Sequence, residues 1–168
     1  MYGTFRYTGL VKAPVIPENV IDISDIYEHC TQLIEVPDIP KGVRNMAYAF
    51  WECTNLEKAP KIQEGTENVR SAFADCTNLI QAPEIPSSAK YINNVFGNCP
   101  KLTGTIKINS LQLGVESGFT DNPGSKSLSG TGTQGSGLKI VVPNEEVRNL
   151  LIANSGYDAS KVEIVASE

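Results

Sequence analysis

Four cysteines recur at one constant interval of 23 residues, at Cys30, Cys53, Cys76 and Cys99. The letters around them recur too, since residues 53–60 read CTNLEKAP and residues 76–83 read CTNLIQAP. A zinc site usually includes a close pair such as C-x2-C, and a disulfide framework has no reason to keep one period. A constant period is typical of a repeat architecture, in which stacked copies of one short unit bury a shared core.

Most apolar residues fall into columns when the chain is aligned on these cysteines. An aromatic residue stands three positions before each cysteine: Tyr27, Phe50, Phe73 and Phe96. Leucine stands three positions after it, at Leu33, Leu56, Leu79 and Leu102, and isoleucine follows six positions later, at Ile39, Ile62, Ile85 and Ile108. Residues 1–23 form an earlier copy that is one residue short and has Thr8 in the cysteine column.

Two segments of the repeat predict two kinds of local structure. The L-x-x-A-P-x-I segment predicts a short strand, paired in parallel with its counterpart in the next copy at about 4.8 Å. Its prolines suit the ends of a strand and not the middle of a hydrogen-bonded ladder. The V-x-x-M-x-x-A-F segment, with its three- and four-residue spacing, predicts a turn or short helix on the opposite side.

These columns resemble the Treponema-type leucine-rich repeats of BspA-like bacterial surface proteins. The resemblance rests on the 23-residue length and on the A-F-x-x-C-x-x-L signature, seen at Ala49 to Leu56 and at Ala72 to Leu79. An extra proline gives A-P-x-I-P, a variant that resembles repeats in gut Firmicutes and their prophages. The resemblance implies an α/β solenoid of about five copies with short parallel strands over residues 1–113. It also implies a protein or glycan ligand and a cell-surface or secreted location.

The remaining residues differ in character from the repeats. Half of residues 114–137 are Gly or Ser, which indicates a long loop or a degenerate repeat. Residues 138–168 predict a C-terminal cap of a strand, a helix and a strand, which a solenoid needs because an open end exposes its core. The helix is expected to begin at the N-cap Asn144, to present Val147, Leu150 and Leu151, and to stop at Gly156. The last strand is expected at Val162, Ile164 and Ala166.

Composition narrows the classes of function. The net charge of −5 argues against a nucleic-acid partner, which usually needs a basic face. Aliphatic runs are short, as at Ile140–Val142, which argues against membrane insertion. No signal peptide is visible at Met1, so a cytoplasmic or virion-associated location stays open beside the surface one. Because Met1 begins partway through a repeat, the chain is expected to be a fragment or to lack an N-terminal cap.

Catalytic chemistry is poorly supported by the sequence. The cysteines are expected to be buried, reduced thiols that fill a recurring slot in the stack. Disulfides between copies would need Cβ atoms about 3.8 Å apart, which is closer than the strand spacing. His29 lies beside Cys30, but adjacent side chains usually point apart, so a solvated surface histidine is expected instead. We therefore predict no enzyme and no catalytic, cofactor-binding or metal site.

Charged columns on the strand segment allow two interpretations. One column reads Lys12, Glu35, Lys58 and Gln81, and another reads Val15, Asp38, Lys61, Glu84 and Lys107. Because the sign alternates from copy to copy, neighbouring strands place opposite charges side by side. The favoured interpretation is a ladder that fixes the register of the repeats, and the alternative is a mixed-charge binding face.

Aromatic residues outside the core columns are the predicted binding residues: Tyr2, Tyr7, Tyr48 and Trp51. Trp51 stands where other copies carry Arg6, Glu28, Ala74 and Gly97, and Tyr48 stands where they carry Asp25, Ser71 and Asn94. Exposed Trp and Tyr are enriched in contact sites and can stack on sugars. The alternative is that Trp51 merely covers the neighbouring turn.

Three functions follow from these observations. The first is a non-enzymatic, adhesion-type module that binds a protein or a glycan. The second is a structural or receptor-binding component of a phage or prophage tail, which suits a short capped solenoid. The third, a hydrolase using Cys30 or aspartates, is disfavoured. No motif specifies the ligand or the oligomeric state.

Overall fold

The protein is described by a computed structural model that covers residues 1–114, 122–133, 137–155 and 157–165. The chain winds into a solenoid, and the aromatic column forms the centre of its core. Successive rings stack at centroid distances of 5.3 to 5.8 Å, in the order Phe5, Tyr27, Phe50, Phe73 and Phe96. The leucine, isoleucine and cysteine columns are buried around these rings. The predicted repeat solenoid is therefore confirmed.

One side of the solenoid, which we call the turn side, consists of tight turns and not of short helices. Each copy carries two residues with positive φ, four positions apart, and six such pairs occur in the described ranges: Gly3 and Tyr7, Asp25 and His29, Tyr48 and Glu52, Ser71 and Asp75, Asn94 and Asn98, Lys126 and Gly130. Most of these are Gly, Asn, Asp or Ser, and Gly, Asn and Asp tolerate the left-handed conformation best. The sequence predicted either a turn or a short helix here, and the residues with positive φ show that the structure has turns.

Backbone hydrogen bonds join the turn sides of neighbouring copies. The amide of Tyr27 donates to the carbonyl of Ala49 at 2.9 Å, and the amide of Phe50 donates to that of Ala72 at 2.9 Å. Other amides close turns within a copy, as where the Cys30 amide donates to the Tyr27 carbonyl at 3.0 Å. The turns therefore satisfy their buried backbone groups partly within the copy and partly across the stack.

The side that carries the A-P-x-I-P segments, which we call the proline side, differs from the sequence-based expectation. A short strand is expected in each copy, but the proline-side copies pair through isolated parallel bridges, as at Lys12 with Glu35 and at Lys58 with Gln81. A regular strand in a repeat, β1 (Thr105–Lys107), lies where Ile106 takes the place of the proline. The reason is that proline has no N–H to donate, so it interrupts the ladder that a longer strand requires.

The C-terminal residues continue the stack as strand, helix and strand. They form β2 (Lys139–Val142), α1 (Glu145–Ser155), a 3-10 turn (Ala159–Lys161) and β3 (Val162–Ile164). The sheet is parallel in the order β1-β2-β3, with Ile106 opposite Ile140 and Ile140 opposite Val162. This is the predicted order of elements, although Gly156 and Ala166 lie outside the described residues.

The helix α1 begins where its sequence predicts. The Val147 amide donates to Asn144 Oδ1 at 2.9 Å, which is the bond that an N-cap makes. Val147 and Leu151 are buried, whereas Leu150 is partly buried against the core. The helix therefore packs one apolar stripe against the end of the stack.

A further turn precedes β2, within residues 122–133. The amide of Phe96 donates to the Ser127 carbonyl at 3.1 Å, as equivalent amides do in earlier copies. Leu128 is buried in the aromatic column, and Thr131 lies in the cysteine column 32 residues after Cys99. This turn is missed by the cysteine alignment because its spacing and both marker residues differ. The division into residues 1–113, 114–137 and 138–168 stays a prediction.

All four cysteines are free and buried. Each thiol reaches back to the carbonyl of the aromatic residue one copy earlier, as where Cys53 Sγ donates to the Tyr27 carbonyl at 3.1 Å and Cys76 Sγ to that of Phe50 at 3.1 Å. Burial raises the pKa of the Cys99 thiol to about 12 and raises that of Cys76 as well. The cysteine therefore recurs because its thiol bonds each copy to the preceding one.

Candidate binding site on the turn side

A pocket of about 330 Å³, which we call the aromatic pocket, lies on the turn side. It is lined by residues of four successive turns: Tyr48, Trp51, Arg70, Ser71, Asp75, Asn94, Ser125 and Lys126. The structure thus brings together Tyr48 and Trp51, two of the four aromatic residues that the sequence predicts for binding. Both are partly exposed.

The pocket results from a change of side-chain size along the columns. Tyr48, Ser71, Asn94 and Lys126 occupy one left-handed column, with φ values between 49° and 57°. A large side chain therefore stands at each end of this four-residue part of the column, with two small polar ones between. The column of Trp51 continues with Ala74 and Gly97, which are both buried and small. The aromatic pocket is the space that these smaller residues leave beside Trp51 and Tyr48.

Hydrogen bonds fix the aromatic side chains at the end of the pocket. Trp51 Nε1 donates to Asp75 Oδ2 at 2.9 Å, and Asn98 Nδ2 donates to Asp75 Oδ1 at 2.7 Å. The Tyr48 hydroxyl accepts from Arg70 Nε at 3.1 Å. The Tyr48 and Trp51 rings lie 5.7 Å apart at 55°, so they form a corner with a defined shape.

A row of rings runs from Trp51 toward the first copy. The His29 ring lies 5.2 Å from that of Trp51 and stacks on that of Tyr7 at 4.4 Å and 11°. Tyr7, exposed by 64%, extends this row, whereas Tyr2, exposed by 71%, is not among the pocket residues. The row therefore links one more predicted residue to the pocket and leaves Tyr2 apart.

His29 does not have the solvated environment that its sequence suggests. Its side chain is only 20% exposed, and Nδ1 lies 2.7 Å from Glu52 Oε2 while Nε2 lies 3.4 Å from Glu28 Oε1. The neighbouring Cys30 thiol donates instead to the Phe5 carbonyl at 2.9 Å. The two side chains thus have separate partners, as expected for adjacent residues that point apart.

A buried carboxylate lies beneath this row. Glu28 is fully buried and pairs with Arg6 Nη2 at 2.5 Å. Burial, together with hydrogen bonding to Glu28, raises the pKa of Asp25 to about 6. Sequence reasoning missed this group, although one signal was present, because Arg6 and Glu28 occupy the same column in adjacent copies and carry opposite charges.

A second, larger concavity of about 810 Å³ lies on the proline side. Its apolar surface comes from residues such as Ala59, Ala82 and Pro83, and its charged rim comes from Lys41, Lys58, Lys61, Glu64 and Glu84. Among the sequence-based interpretations, a mixed-charge binding face on these columns was the alternative and not the favoured one. The columns that line it were interpreted as charge ladders, and two such pairs are formed, Lys12 with Glu35 at 2.8 Å and Glu84 with Lys107 at 2.9 Å.

The described ranges also bear on metal sites and on membrane-spanning helices. Within them, no group of three or more His, Cys, Asp or Glu side chains is placed to hold a metal ion. Of the helices in the same ranges, none is both long and apolar enough to cross a bilayer.

Comparisons with known proteins agree with this architecture. Residues 2–121 match the family model of the BspA-type leucine-rich repeat region, which finds six copies. The cysteine period predicts about five copies. A search of the curated proteins finds no match. A similar solved structure is the crystal structure of the T. pallidum leucine-rich-repeat protein TpLRR, with 21% identity and a TM-score of 0.57 over 99% of this chain and 78% of that one. That likeness shows the fold, and the repeats show the family: the chain belongs to the BspA-type leucine-rich-repeat proteins.

Proposed function

We propose that this chain is a non-enzymatic, adhesion-type module that binds a protein or a glycan through the aromatic pocket. One observation carries the proposal: Tyr48 and Trp51 stay partly exposed at a pocket across four turns, although the same stack buries its core rings from Tyr27 to Phe96. Partly exposed aromatic side chains with polar neighbours are typical of contact sites. Family members of this type are typically surface-associated, which supports a location on a bacterial surface or in the secreted fraction.

The surroundings of the reactive side chains favour binding over catalysis. The Cys76 thiol is fully buried, and burial raises its pKa, so it stays protonated and is a poor nucleophile. His29 is held between two rings, and its ring nitrogens lie near the carboxylates of Glu28 and Glu52. These side chains stabilise the turn side and leave its surface free to bind.

The test is a binding screen of the whole chain against arrays of glycans and of host proteins. The Tyr48→Ala/Trp51→Ala double variant is compared with wild type, and Tyr2→Ala serves as the control because Tyr2 is exposed outside the pocket. We expect a ligand that binds the control as it binds wild type. Its Kd for the double variant should be at least tenfold higher, which corresponds to about 1.4 kcal/mol of binding free energy. Equal thermal unfolding of the three proteins is required. Screens without any ligand would contradict the proposal and favour the tail component.

A further inference from the structure

The polar lining of the aromatic pocket indicates which of the two ligand classes fits it. Besides the corner formed by Tyr48 and Trp51, the lining contains hydroxyl, amide and carboxylate groups from Ser71, Asn94 and Asp75. A ligand for this surface needs an apolar face for the rings and several donors and acceptors close beside it. A pyranose ring has both, because its C–H groups lie on its faces and its hydroxyls at its edge.

The size of the pocket points the same way. Protein–protein contacts usually bury about 800 Å² on each partner, over a broad surface. The aromatic pocket is instead a compact recess of about 330 Å³, at the lower end of the range for small-molecule sites. A recess of this size accommodates one or two rings of an oligosaccharide and does not by itself accommodate a folded partner.

The pocket is also preorganised for a rigid ligand. Trp51 is fixed through Nε1 by Asp75, and Asp75 is in turn fixed by Asn98. Tyr48 is fixed through its hydroxyl by Arg70. Side chains that are already held lose little conformational entropy when a ligand arrives, which raises affinity for a small ligand.

We infer that the aromatic pocket is a carbohydrate subsite that holds a pyranose ring against Trp51 and Tyr48, with the sugar hydroxyls bonded to Ser71, Asn94 and Asp75. This inference rests on the proposed function and narrows its ligand from a protein or a glycan to a glycan. The further turn at residues 122–133 completes the subsite, because Ser125 and Lys126 close the end opposite Tyr48.

The chain provides its own reporter for this subsite. Trp51 is the single tryptophan of the sequence, so emission excited beyond the absorption band of the six tyrosines reports on the environment of Trp51. Oligosaccharides of one to four pyranose rings, both neutral and acidic, are first screened on an array. Each hit is then titrated in solution while the emission of Trp51 is recorded. We expect a saturable change in emission with the same Kd as a direct binding measurement.

A pocket-filling variant tests the location without a new backbone conformation. Ser71→Tyr places in the fourth turn the side chain that Tyr48 already presents at the same left-handed position in the third. Asp75→Asn is the second variant, and its backbone is equally precedented, because Asn98 occupies that column in the next copy. We expect the first to reduce sugar affinity at least tenfold and the second about three- to tenfold. Tyr2→Ala is expected to bind as wild type does.

The outcomes separate this inference from the function on which it rests. A glycan that binds equally well to Ser71→Tyr and to Asp75→Asn, both folded by circular dichroism, overturns the subsite. If a protein ligand binds wild type but not the Tyr48→Ala/Trp51→Ala variant, and no glycan binds, the carbohydrate inference is wrong. The proposed function would then still hold. Arrays on which neither class binds overturn both.

Discussion

At the scale of single residues, a buried thiol or hydroxyl in one apolar column bonds each copy to the preceding one. A cysteine donates to the aromatic carbonyl of the preceding copy in the second to fifth copies, as at Cys99 with Phe73 at 3.1 Å. Thr131 makes the same bond to the Phe96 carbonyl at 2.7 Å. A thiol or hydroxyl therefore suits this column because it fills a small apolar slot and also satisfies a buried carbonyl.

The carboxyl group of Asp25 makes the stability of the protein depend on pH. Burial and the adjacent Glu28 raise the pKa of Asp25 to about 6, above the value of about 4 in an unfolded chain. Between these values the folded state binds more protons than the unfolded state. The free energy of unfolding therefore decreases as pH rises from about 4 to about 6, and this part of the stability is absent above that window.

The variant Asp25→Asn tests this assignment. An amide carries no charge, can donate a hydrogen bond to Glu28, and suits the left-handed position at φ 55°, where Asn94 stands three copies later. We expect the variant to be more stable than wild type at pH 7 by about 1 kcal/mol, a value reduced for the partial exposure of Asp25. Urea unfolding at several pH values between 4 and 7.5 measures the effect. If both proteins lose stability equally over this range, the assignment to Asp25 is wrong.

At the scale of elements, proline decides where a strand forms. In the first four copies the column holds Pro14, Pro37, Pro60 and Pro83, and copies pair there through isolated bridges. In the next copy Ile106 lies in β1, buried to 1% exposure and paired in register with Ile140. The sheet β1-β2-β3 therefore begins at the copy in which the proline is absent.

The variant Ile106→Pro is expected to restore the pattern of the earlier copies. It removes a strand N–H and replaces a buried branched side chain by a ring of different shape, so we expect a loss of about 2–4 kcal/mol in the free energy of unfolding. Ile106→Val keeps the strand and is expected to cost about 1 kcal/mol. Hydrogen exchange at β2 should increase in the proline variant only. Equal stability of the two variants would show that the strand adds nothing beyond the side chain.

At the scale of the whole molecule, the columns explain what could be predicted. The cysteine period and the Phe50, Leu56 and Ile62 columns predict the solenoid, because each copy repeats the same buried positions. The turn at Lys126 could not be aligned, since it has neither marker residue and follows after a longer interval. The aromatic pocket depends on that turn and on the size of side chains in neighbouring copies. The sequence therefore predicts Tyr48 and Trp51 but not the recess beside them.

A solenoid whose copies contact only their neighbours should tolerate the removal of a complete copy. Deletion of residues 54–76 joins Cys53 to Thr77 and keeps every column in register. We expect a folded protein with a cooperative transition, with a Tm lower by roughly 5–10 °C because one copy and its interface are lost. Deletion of residues 54–64 is the control, since it places apolar columns against polar ones and is expected to prevent folding.

The same deletion separates the scaffold from the site. It removes Arg70, Ser71 and Asp75 and brings Trp51 against the turn that contains Asn98, in the column that Asp75 occupied. If binding belongs to the aromatic pocket, the shortened solenoid should fold and lose its ligand. Circular dichroism and thermal unfolding report the first property, and titration of Trp51 fluorescence reports the second. Retained binding would place the ligand elsewhere, and a chain that fails to fold would show that its copies are not interchangeable.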